Sequence, residues 1–595
     1  YNSSACVGVP FIFGASDTAI LEFTDSLLRI FVNEAPIERV SVATTVPAFA
    51  SWASSASTGA TVTLGATLDI SGNLAGLQST VTGTLTIAGG DQAKEHALRI
   101  VVERGPIKFR VGTASGLSDI FKTSTLDEGT HSLAFTPNTG TVYVQFESSE
   151  YALRRVSSVS MEAAGVLTLP SPYAAADLDD VRYETSGDTM FLTGGGAQQQ
   201  RIERRGTRSY SIVLYKSPDG PFPAFPGDAS VLMTPSAMIG NITITSNKAV
   251  FENDLVGALV RLFHNGQNTI RTLAAADTYS DVIRVSGVSS TTGGVAVNDR
   301  NFSVTIAGTF VGTLTLQRSF ESATAGFTDY LTYVAPVGPT TISDNLSNIV
   351  AWYRIGFKAG SYTSGSATVT LAYIGGGGAG IARITGYTSA TQVDAEVLKP
   401  FVATTAASDW RLQEWNDADG YPTAVALFEG RLWFAGQTKI WGSVSDAYTS
   451  FDLDKTGDAG PISRTIGHGA IQNIRWILPL ARLLLGGDSS IITARSNSFD
   501  EPLTPTVFTL KDSLTVAASA LRAVRVDASG FFVSQSGRKA YETFFDIQKT
   551  DYSGKELTRL NPDIGVPGFV DIAVQREPDT RIYFVRTDGQ AACLL

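Results

Sequence analysis

Apolar and polar residues alternate with a period of two along most of this chain. Residues 19–23 (AILEF) and 27–33 (LLRIFVN) flank a short turn, and residues 7–13 (VGVPFIF) form a continuous apolar run. Alternation with this period places every second side chain on one face of a β-strand, and a short apolar run is typical of a buried strand. Residues 1–41 are therefore predicted to contain a buried strand and a hairpin.

Residues 42–164 are richer in Ser, Thr and Gly and predict a separate module. Strand patterns such as ALRIVVE, IKFRVGT and TVYVQFE follow one another, and turn signals recur about every ten residues. This spacing is typical of a β-sandwich. Residues 165–275 again show the pattern of residues 1–41. They contain short strands, one possible helical turn at 174–180 (AAADLDD) and a Pro- and Gly-rich linker at 217–230.

A second sandwich is predicted for residues 276–374. Its strand patterns include FSVTIAG, VGTLTLQRSF, IVAWYRIGFK and SATVTLAYI, each taken as a separate strand, and GGGGAG at 375–380 is interpreted as a flexible joint. Beyond it, strand–turn–strand units repeat, and this repetition is typical of the blades of a β-propeller. Five of the seven tryptophans lie in this part, at Trp410, Trp415, Trp433, Trp441 and Trp476.

The predicted fold class is all-β, with a β-propeller-like core and two inserted β-sandwich modules. We expect the propeller-like region to start near residue 381 and to be completed in part by residues 1–41 and 165–235. The predicted domains are 1–41, the first part of the core; 42–164, a β-sandwich that resembles jelly-roll modules; 165–275, a core β-domain; 276–374, a β-sandwich that resembles immunoglobulin-like or fibronectin-like modules; and 375–595, the propeller-like core. The chain starts almost directly on the buried strand 7–13 and its last hairpin stops mid-strand, so we expect that both termini of the natural product are missing here.

Composition argues against several classes of function. The chain has 595 residues, a formal net charge of −11 and 17% charged residues. An excess of acid argues against a sequence-reading nucleic-acid binder, which needs excess Lys and Arg to displace counterions from phosphate. No run of 18 apolar residues predicts a membrane-spanning helix. Cys6 and Cys593 alone cannot form a disulfide framework, so a reducing compartment is expected.

The motifs that could carry chemistry are weak, and we assign no catalytic, cofactor or metal site. GGGGAG lacks the following helix and acidic residue of a dinucleotide site. The Asp-rich segments 416–420 (NDADG) and 452–458 (DLDKTGD) are interpreted as turns rather than Ca²⁺ loops. No GxSxG motif is present, and paired carboxylates on distant strands stay open. The four histidines are interpreted as surface or packed residues: His96, His131, His264 and His468.

One basic segment stands out, at residues 201–208 (RIERRGTR). Its arginines are Arg201, Arg204, Arg205 and Arg208. They are candidates for contact with DNA phosphate or with an acidic neighbouring subunit, and the alternative is a solvated hairpin end, which we favour. The tryptophans could stack sugars or bases, although blade core is the better interpretation.

Several segments together resemble the tail-nozzle family of short-tailed bacteriophages, also called tail tubular or DNA-stabilisation proteins. The quoted segments are SPYAAADLDDVRYETSGDTMFLT, YPTAVALFEGRLWFAGQTKIWGSVSDAYTSFD, IRWILPLARLLLGGDSSIITARS, EPLTPTVFTLKDS and SGRKAYETFFD. The resemblance covers about 1–41, 165–270 and 379–595. The two modules look like insertions, and residues 42–164 resemble carbohydrate-binding jelly rolls in GPIKFRVGTASG and HSLAFTPNTGTVYVQFE.

The resemblance implies a non-enzymatic virion protein that forms a ring of six subunits, assembled in the host cytoplasm. Its implied partners are further copies of itself, adaptor and portal-side proteins, tail fibres or tip proteins, and DNA that passes without specific contact. A tail spike or receptor-binding protein that binds or degrades glycan is the alternative. Glycan binding would need exposed aromatics, for which the candidates are Trp52, Phe109, Phe121, Tyr143 and Tyr151. Most look like sandwich core, so we expect no measurable glycan binding.

Overall fold

The computed structural model describes residues 5–14, 17–73, 76–285, 289–292, 295–298, 300–321, 323–346, 349–467, 473–498 and 501–595. Throughout these ranges the chain is all-β, as predicted, and its helices are short 3-10 turns. These turns are Phe49–Ser51, Gly89–Asp91, Leu178–Asp180, Asn253–Leu255, Thr558–Leu560 and Pro562–Gly565. The turn at Leu178–Asp180 lies in the segment for which a helical turn was considered.

The first strands form a meander, as the alternation predicts. They are β1 Val7–Gly14, β2 Asp17–Thr24, β3 Leu27–Val32, β4 Ala35–Pro36 and β5 Glu38–Arg39. In the ladder, Val9 pairs with Leu21, and Leu21 pairs with Ile30. All three side chains are buried, because residues opposite one another in a ladder point to the same face.

Residues 42–164 form the predicted sandwich. Its strands are β6 Ala53–Ser55, β7 Val62–Leu64, β8 Leu68–Ile70, β9 Ser79–Thr86, β10 His96–Arg104, β11 Ile107–Gly112, β12 Phe121–Leu126, β13 Gly129–Phe135, β14 Thr141–Ser148 and β15 Arg154–Met161. One layer has the order β12-β11-β14-β9-β6, and the other includes β13-β10-β15-β8-β7. Phe109, Leu133 and Phe146 lie in the apolar core between the layers.

The next strands join this sandwich to the core. They are β16 Gly165–Val166, β17 Thr168–Pro170, β18 Arg182–Ser186, β19 Thr189–Thr193, β20 Gln200–Gly206 and β21 Ser209–Leu214. At the base of the module, β16 pairs with β5, where the chain entered it. Strands β18–β21 form a meander, and β21 pairs with β13, with Ser211 opposite His131. One continuous nine-stranded sheet therefore runs from the core into the module.

A six-stranded sheet holds the second module. Its strands before the module are β22 Met233–Pro235, β23 Asn241–Ser246 and β24 Leu259–His264. The module contributes β25 Gln267–Leu273, β26 Thr278–Tyr279, β27 Ile283–Val285, β28 Ser289–Thr292, β29 Val295–Asn298, β30 Asn301–Ser319, β31 Thr328–Tyr333, β32 Val337–Ser343 and β33 Ala351–Tyr373. After the module, the chain continues through β34 Gly378–Ser389, β35 Gln392–Lys399 and β36 Asp409–Leu412.

The six strands outside the module have the order β22-β23-β35-β34-β24-β36. His264 at the end of β24 pairs with Gly378 at the start of β34, so the module enters and leaves at one point of this ladder. The strands between residues 378 and 412 thus lie in this sheet, and the four-stranded blades begin further along the chain, at Ala424.

The second sandwich is built from long, bent strands. Strands β30 and β33 pair along nearly their whole length, with register shifts around Gly312. Gly312 has a φ of +156° and Gly365 a φ of +85°, and bulges at such residues bend a sheet. The sheet therefore bends over its own core, and side chains from both halves, such as Val304 and Leu316, meet there. Each long strand replaces two strands of the sequence prediction.

The last part of the chain forms the propeller-like blades. The first three sheets are β37 Ala424–Phe428, β38 Arg431–Gly436, β39 Lys439–Gly442 and β40 Ile462–Thr465; β41 Ile474–Pro479, β42 Leu483–Gly487, β43 Ile491–Arg495 and β44 Thr509–Leu514; and β45 Val524–Val526, β46 Ser529–Val533, β47 Ala540–Asp546 and β48 Asp551–Glu556. A three-stranded sheet follows, with β49 Phe569–Gln575, β50 Arg581–Arg586 and β51 Ala591–Leu594.

The first strands of successive sheets contact one another in the order β18, β37, β41, β45 and β49. Each is the end strand of its sheet, so five sheets are arranged radially around a common axis. Burial raises the pKa of the Tyr183 hydroxyl on β18, and the nearby carboxylate of Asp571 on β49 adds to the rise.

Candidate functional site

The basic segment lies on β20 and in the turn to β21. Alternation along β20 turns Ile202 into the core beside the first meander, together with Arg204. The guanidinium of Arg204 stacks 4.2 Å from the centre of the Phe13 ring. Arg201 and Arg205 lie on the opposite face of the strand, toward the sandwich. The hairpin therefore sits between the first meander and the 42–164 module.

Each arginine of the segment forms an ion pair with a carboxylate of the same chain. The pairs are Arg201 with Asp127 and Glu203, Arg204 with Asp17 and Asp188, Arg205 with Glu203, and Arg208 with Glu95. The side chains of Arg201, Arg204 and Arg205 are only 15–17% exposed, whereas that of Arg208 is 43% exposed. Arg208 is thus the member best placed for an outside contact, and such a contact stays a prediction.

A fifth arginine, Arg39, contributes to the same junction between the first meander and the 42–164 module. The sequence analysis did not single it out. The Arg39 side chain is buried, and its Nε atom lies 2.7 Å from Oε2 of Glu162. It also pairs with Glu95, the partner of Arg208, and donates a hydrogen bond of 2.7 Å to the hydroxyl of Ser132. Because these partners come from distant segments, no local sequence signal marks Arg39.

A buried histidine lies under the same segment. His131 on β13 is fully buried, with Nδ1 2.8 Å from the Ser211 hydroxyl and Nε2 2.9 Å from the carbonyl oxygen of Asp127. Burial, together with the positive charge of Arg205, lowers the pKa of His131 to about 3. The imidazole is therefore neutral at neutral pH, and its protonation opposes the pairing of β13 with β21.

A polar cavity of about 290 Å³ lies where the module, the β18–β21 meander, the six-stranded sheet and the segment leading to the first blade meet. Burial lowers the pKa of Lys216, while its ion pair with Glu128 opposes this shift. Burial also lowers the pKa of Arg383, which donates 2.8 Å hydrogen bonds to the carbonyl oxygens of Gly257 and Ser217. Charged groups thus connect the domains here, and the sequence analysis missed them.

The aromatics proposed as a sugar platform are largely packed inside the sandwich. Trp52 and Phe109 are buried, and Phe121 packs against the same core. Tyr143 is half-buried, and Tyr151 is 41% exposed. Stacking on sugars needs several exposed rings on one face. Only Tyr151 among these five presents a large exposed surface.

Four of the five clustered tryptophans lie in the core. Trp433, Trp476, Trp415 and Trp441 are between 0% and 4% exposed. Trp410 is half-buried and donates a hydrogen bond of 3.1 Å to the carbonyl oxygen of Asp228. It lines an open cleft of about 390 Å³ beside the Pro-rich linker. The cluster mainly stabilises the packing between sheets.

The Asp-rich segments form turns in the structure. In 416–420, the side-chain oxygen of Asn416 accepts hydrogen bonds from the amides of Ala418 and Asp419. In 452–458, Asp454 pairs with Arg261 and Lys399. Among the described residues, no group of three or more His, Cys, Asp or Glu could hold a metal ion. Of the other histidines, His96 and His264 are buried, and His468 lies outside the described residues.

Two of the three comparisons with known proteins find no match. No family model matches the chain, and no curated protein matches it. Among solved structures, the coconut allergen cocosin aligns at 10% sequence identity with 59% of this chain and 89% of its own length. Its TM-score is 0.09, so the alignment carries no argument about fold or function. Within the described ranges, the chain has no helix of the length and apolarity that crossing a membrane requires.

Proposed function

We propose that this chain is a structural protein of a phage virion, a subunit of the tail-nozzle ring through which the genome is retained and then ejected. The observation that supports this most is the nine-stranded sheet that joins the core to the 42–164 module. Main-chain hydrogen bonds and buried ion pairs make these parts one body. A ring that confines packaged DNA needs such rigidity. The choice of a tail nozzle among rigid structural proteins rests on the segments that resemble that family.

The proposed ring contains six copies and lies in the tail between the portal side and the tip. A closed ring of identical subunits uses head-to-tail contacts, so each subunit carries two different complementary faces. Its neighbours are adaptor and portal-side proteins above and fibres or tip proteins below. Each chain has a net charge of −11. Part of that charge at the lumen repels DNA phosphate, which keeps the genome from binding the wall during ejection.

Native mass spectrometry of purified tails tests the ring. We expect a six-membered assembly of this chain, stable at low ionic strength, and cryo-electron microscopy of the virion is expected to locate it on the tail axis. A monomer or a twofold dimer within intact tails contradicts the proposal. A peripheral position with free access to the cell surface, or release of oligosaccharides from host capsule, supports a spike or receptor-binding protein instead.

A further inference from the structure

A small cavity lies on the axis of the radial array, where the first strands of the sheets converge. Its volume is about 230 Å³, and β18, β37, β41 and the segment around β45 surround it. The charged and polar side chains at its wall are Arg182, Tyr183, Glu184, Arg522 and Arg525. Apolar residues such as Leu478 form much of the remaining wall, and the cavity opens to solvent on the side of the exposed Arg525.

The arginines of this cavity differ from those of the basic segment in their partners. Arg182 is 8% exposed, and its guanidinium donates hydrogen bonds to main-chain carbonyl oxygens. The carbonyls are those of Asp179, Val181, Arg475 and Ala520. Arg522 donates to the Tyr183 hydroxyl.

Arg525 likewise donates to the carbonyl oxygens of Asp527 and Pro479. Within the described ranges, no carboxylate lies in ion-pair distance of Arg182, Arg522 or Arg525. Three arginines thus line one cavity, and none of them forms a direct ion pair.

The positive charge of this cavity is incompletely balanced. Burial lowers the pKa of Arg182 to about 10; the charge of Asp180 opposes the shift, and that of Arg522 adds to it. Burial also raises the pKa of Glu184, which weakens its role as a counter-charge. Positive charge clustered beside the buried Arg182 is unfavourable without an anion. An anion that accepts hydrogen bonds from several guanidinium groups offsets this cost.

We propose that the axial cavity binds a phosphate-class oxyanion, held by Arg522 and Arg525 with Arg182 behind them. A guanidinium presents its N–H donors in a planar fork that matches two phosphate oxygens, and such charge-assisted bonds are about twice as strong as neutral ones. The cavity has room for inorganic phosphate and its water, whereas a nucleic-acid duplex is far too wide. The site is internal to one chain, so it goes beyond the proposed ring and does not depend on it.

Isothermal titration of the full chain with inorganic phosphate, at constant ionic strength in chloride buffer, tests this site. We expect one phosphate per chain. Arg522→Gln and Arg525→Gln are each expected to weaken binding about ten- to a hundredfold, since each removes charged hydrogen bonds. The matched control is Arg581→Gln on β50, a partly exposed arginine paired with Asp579 outside the cavity, which is expected to bind phosphate as the unmodified chain does.

A thermal measurement keeps the test independent of folding defects. Phosphate is expected to raise the unfolding temperature of the unmodified chain and of Arg581→Gln, but not of Arg522→Gln, because a ligand stabilises only the state that binds it. Unfolding without phosphate and the far-ultraviolet circular dichroism spectrum show whether each variant is folded. Absence of heat in the unmodified chain, or equal affinity in all three variants, overturns the proposal. Either result leaves the ring proposal untouched.

Discussion

Replacing Asp344 with asparagine is expected to destabilise the 276–374 module by about 3–5 kcal/mol. Both carboxylate oxygens of Asp344 lie 2.7 Å from guanidinium nitrogens of Arg300, and the two side chains are 0% exposed. The hydroxyl of Tyr353 donates a further hydrogen bond of 2.9 Å. Asparagine leaves the buried guanidinium without its counter-charge. Hydrogen exchange of β30 and β33 measures the loss within this module, whatever the order in which the rest of the chain unfolds.

The matched control is Asp329→Asn in the same module. Asp329 pairs with Lys358 at 2.6 Å, but both side chains are nearly half exposed. Exposed pairs contribute about 0–1 kcal/mol, so this variant is expected to retain the protection of β30 and β33. Equal losses in the two variants would contradict the importance of burial. Replacing both partners, with Arg300→Met and Asp344→Leu, is expected to restore most of the stability, because no buried charge then lacks a partner.

The Asp344 pair also gives the module a defined response to acid. Burial opposes ionisation of Asp344, but the hydrogen bonds from Arg300, the amide of Leu346 and Tyr353 outweigh it and lower the pKa. A carboxyl group whose pKa is lower in the folded state stabilises the protein above the pKa of the unfolded chain. This contribution is lost as the pH falls through the folded pKa.

Lowering the pH from 7 toward 4 is expected to weaken the junction between β13 and β21 through His131. The pKa of His131 is about 3 in the folded protein, against about 6.5 in the unfolded chain. The unfolded chain therefore binds a proton first, and the free energy of unfolding falls by about 1.4 kcal/mol for each pH unit below about 6.5. The total loss approaches roughly 5 kcal/mol near pH 3. Hydrogen exchange of these two strands, corrected for intrinsic rates, measures it.

His131→Gln is expected to remove most of this pH dependence between pH 6 and 4. Glutamine cannot take up a proton in this range, and its amide can keep a hydrogen bond to Ser211 or to the carbonyl oxygen of Asp127. Carboxyl groups that titrate in the same range affect both proteins alike and cancel in the difference. The control is His96→Gln, a second buried histidine of the module, which is expected to retain the slope. A slope that persists in His131→Gln would contradict the assignment.

The strand patterns could be predicted from the sequence because alternation and turns are local properties. The bend in β30 was not predictable in this way. Residues 302–308 and 311–320 were predicted as two strands, with Gly308 at the end of the first and Gly312 near the start of the second. In the structure both glycines lie inside one strand, where positive φ angles accompany a bend. A glycine in an alternating pattern marks a turn or a bend, and only pairing with a distant strand decides between them.

The contacts of the candidate site could not be predicted from the sequence either. A run of four arginines in eight residues suggests an exposed basic surface. Its partners Asp17, Glu95 and Asp127 lie about 75 to 190 residues away, and the run gives no sign of them. The axial cavity was missed for the same reason. Arg182 and Arg522 are single arginines in separate segments, and only the radial arrangement of the sheets brings them together.

The two modules differ in how their removal affects the strands that remain. Both modules begin and end on neighbouring strands, at β5 and β16 for the first and at β24 and β34 for the second. Deletion of either module therefore leaves two paired strands that a short turn can join. Loss of the second module leaves the ladder of His264 and Gly378 intact. Loss of the first separates β13 from β21 and exposes a sheet edge that favours aggregation, so the rest of the chain depends on this module for its solubility as well as its packing.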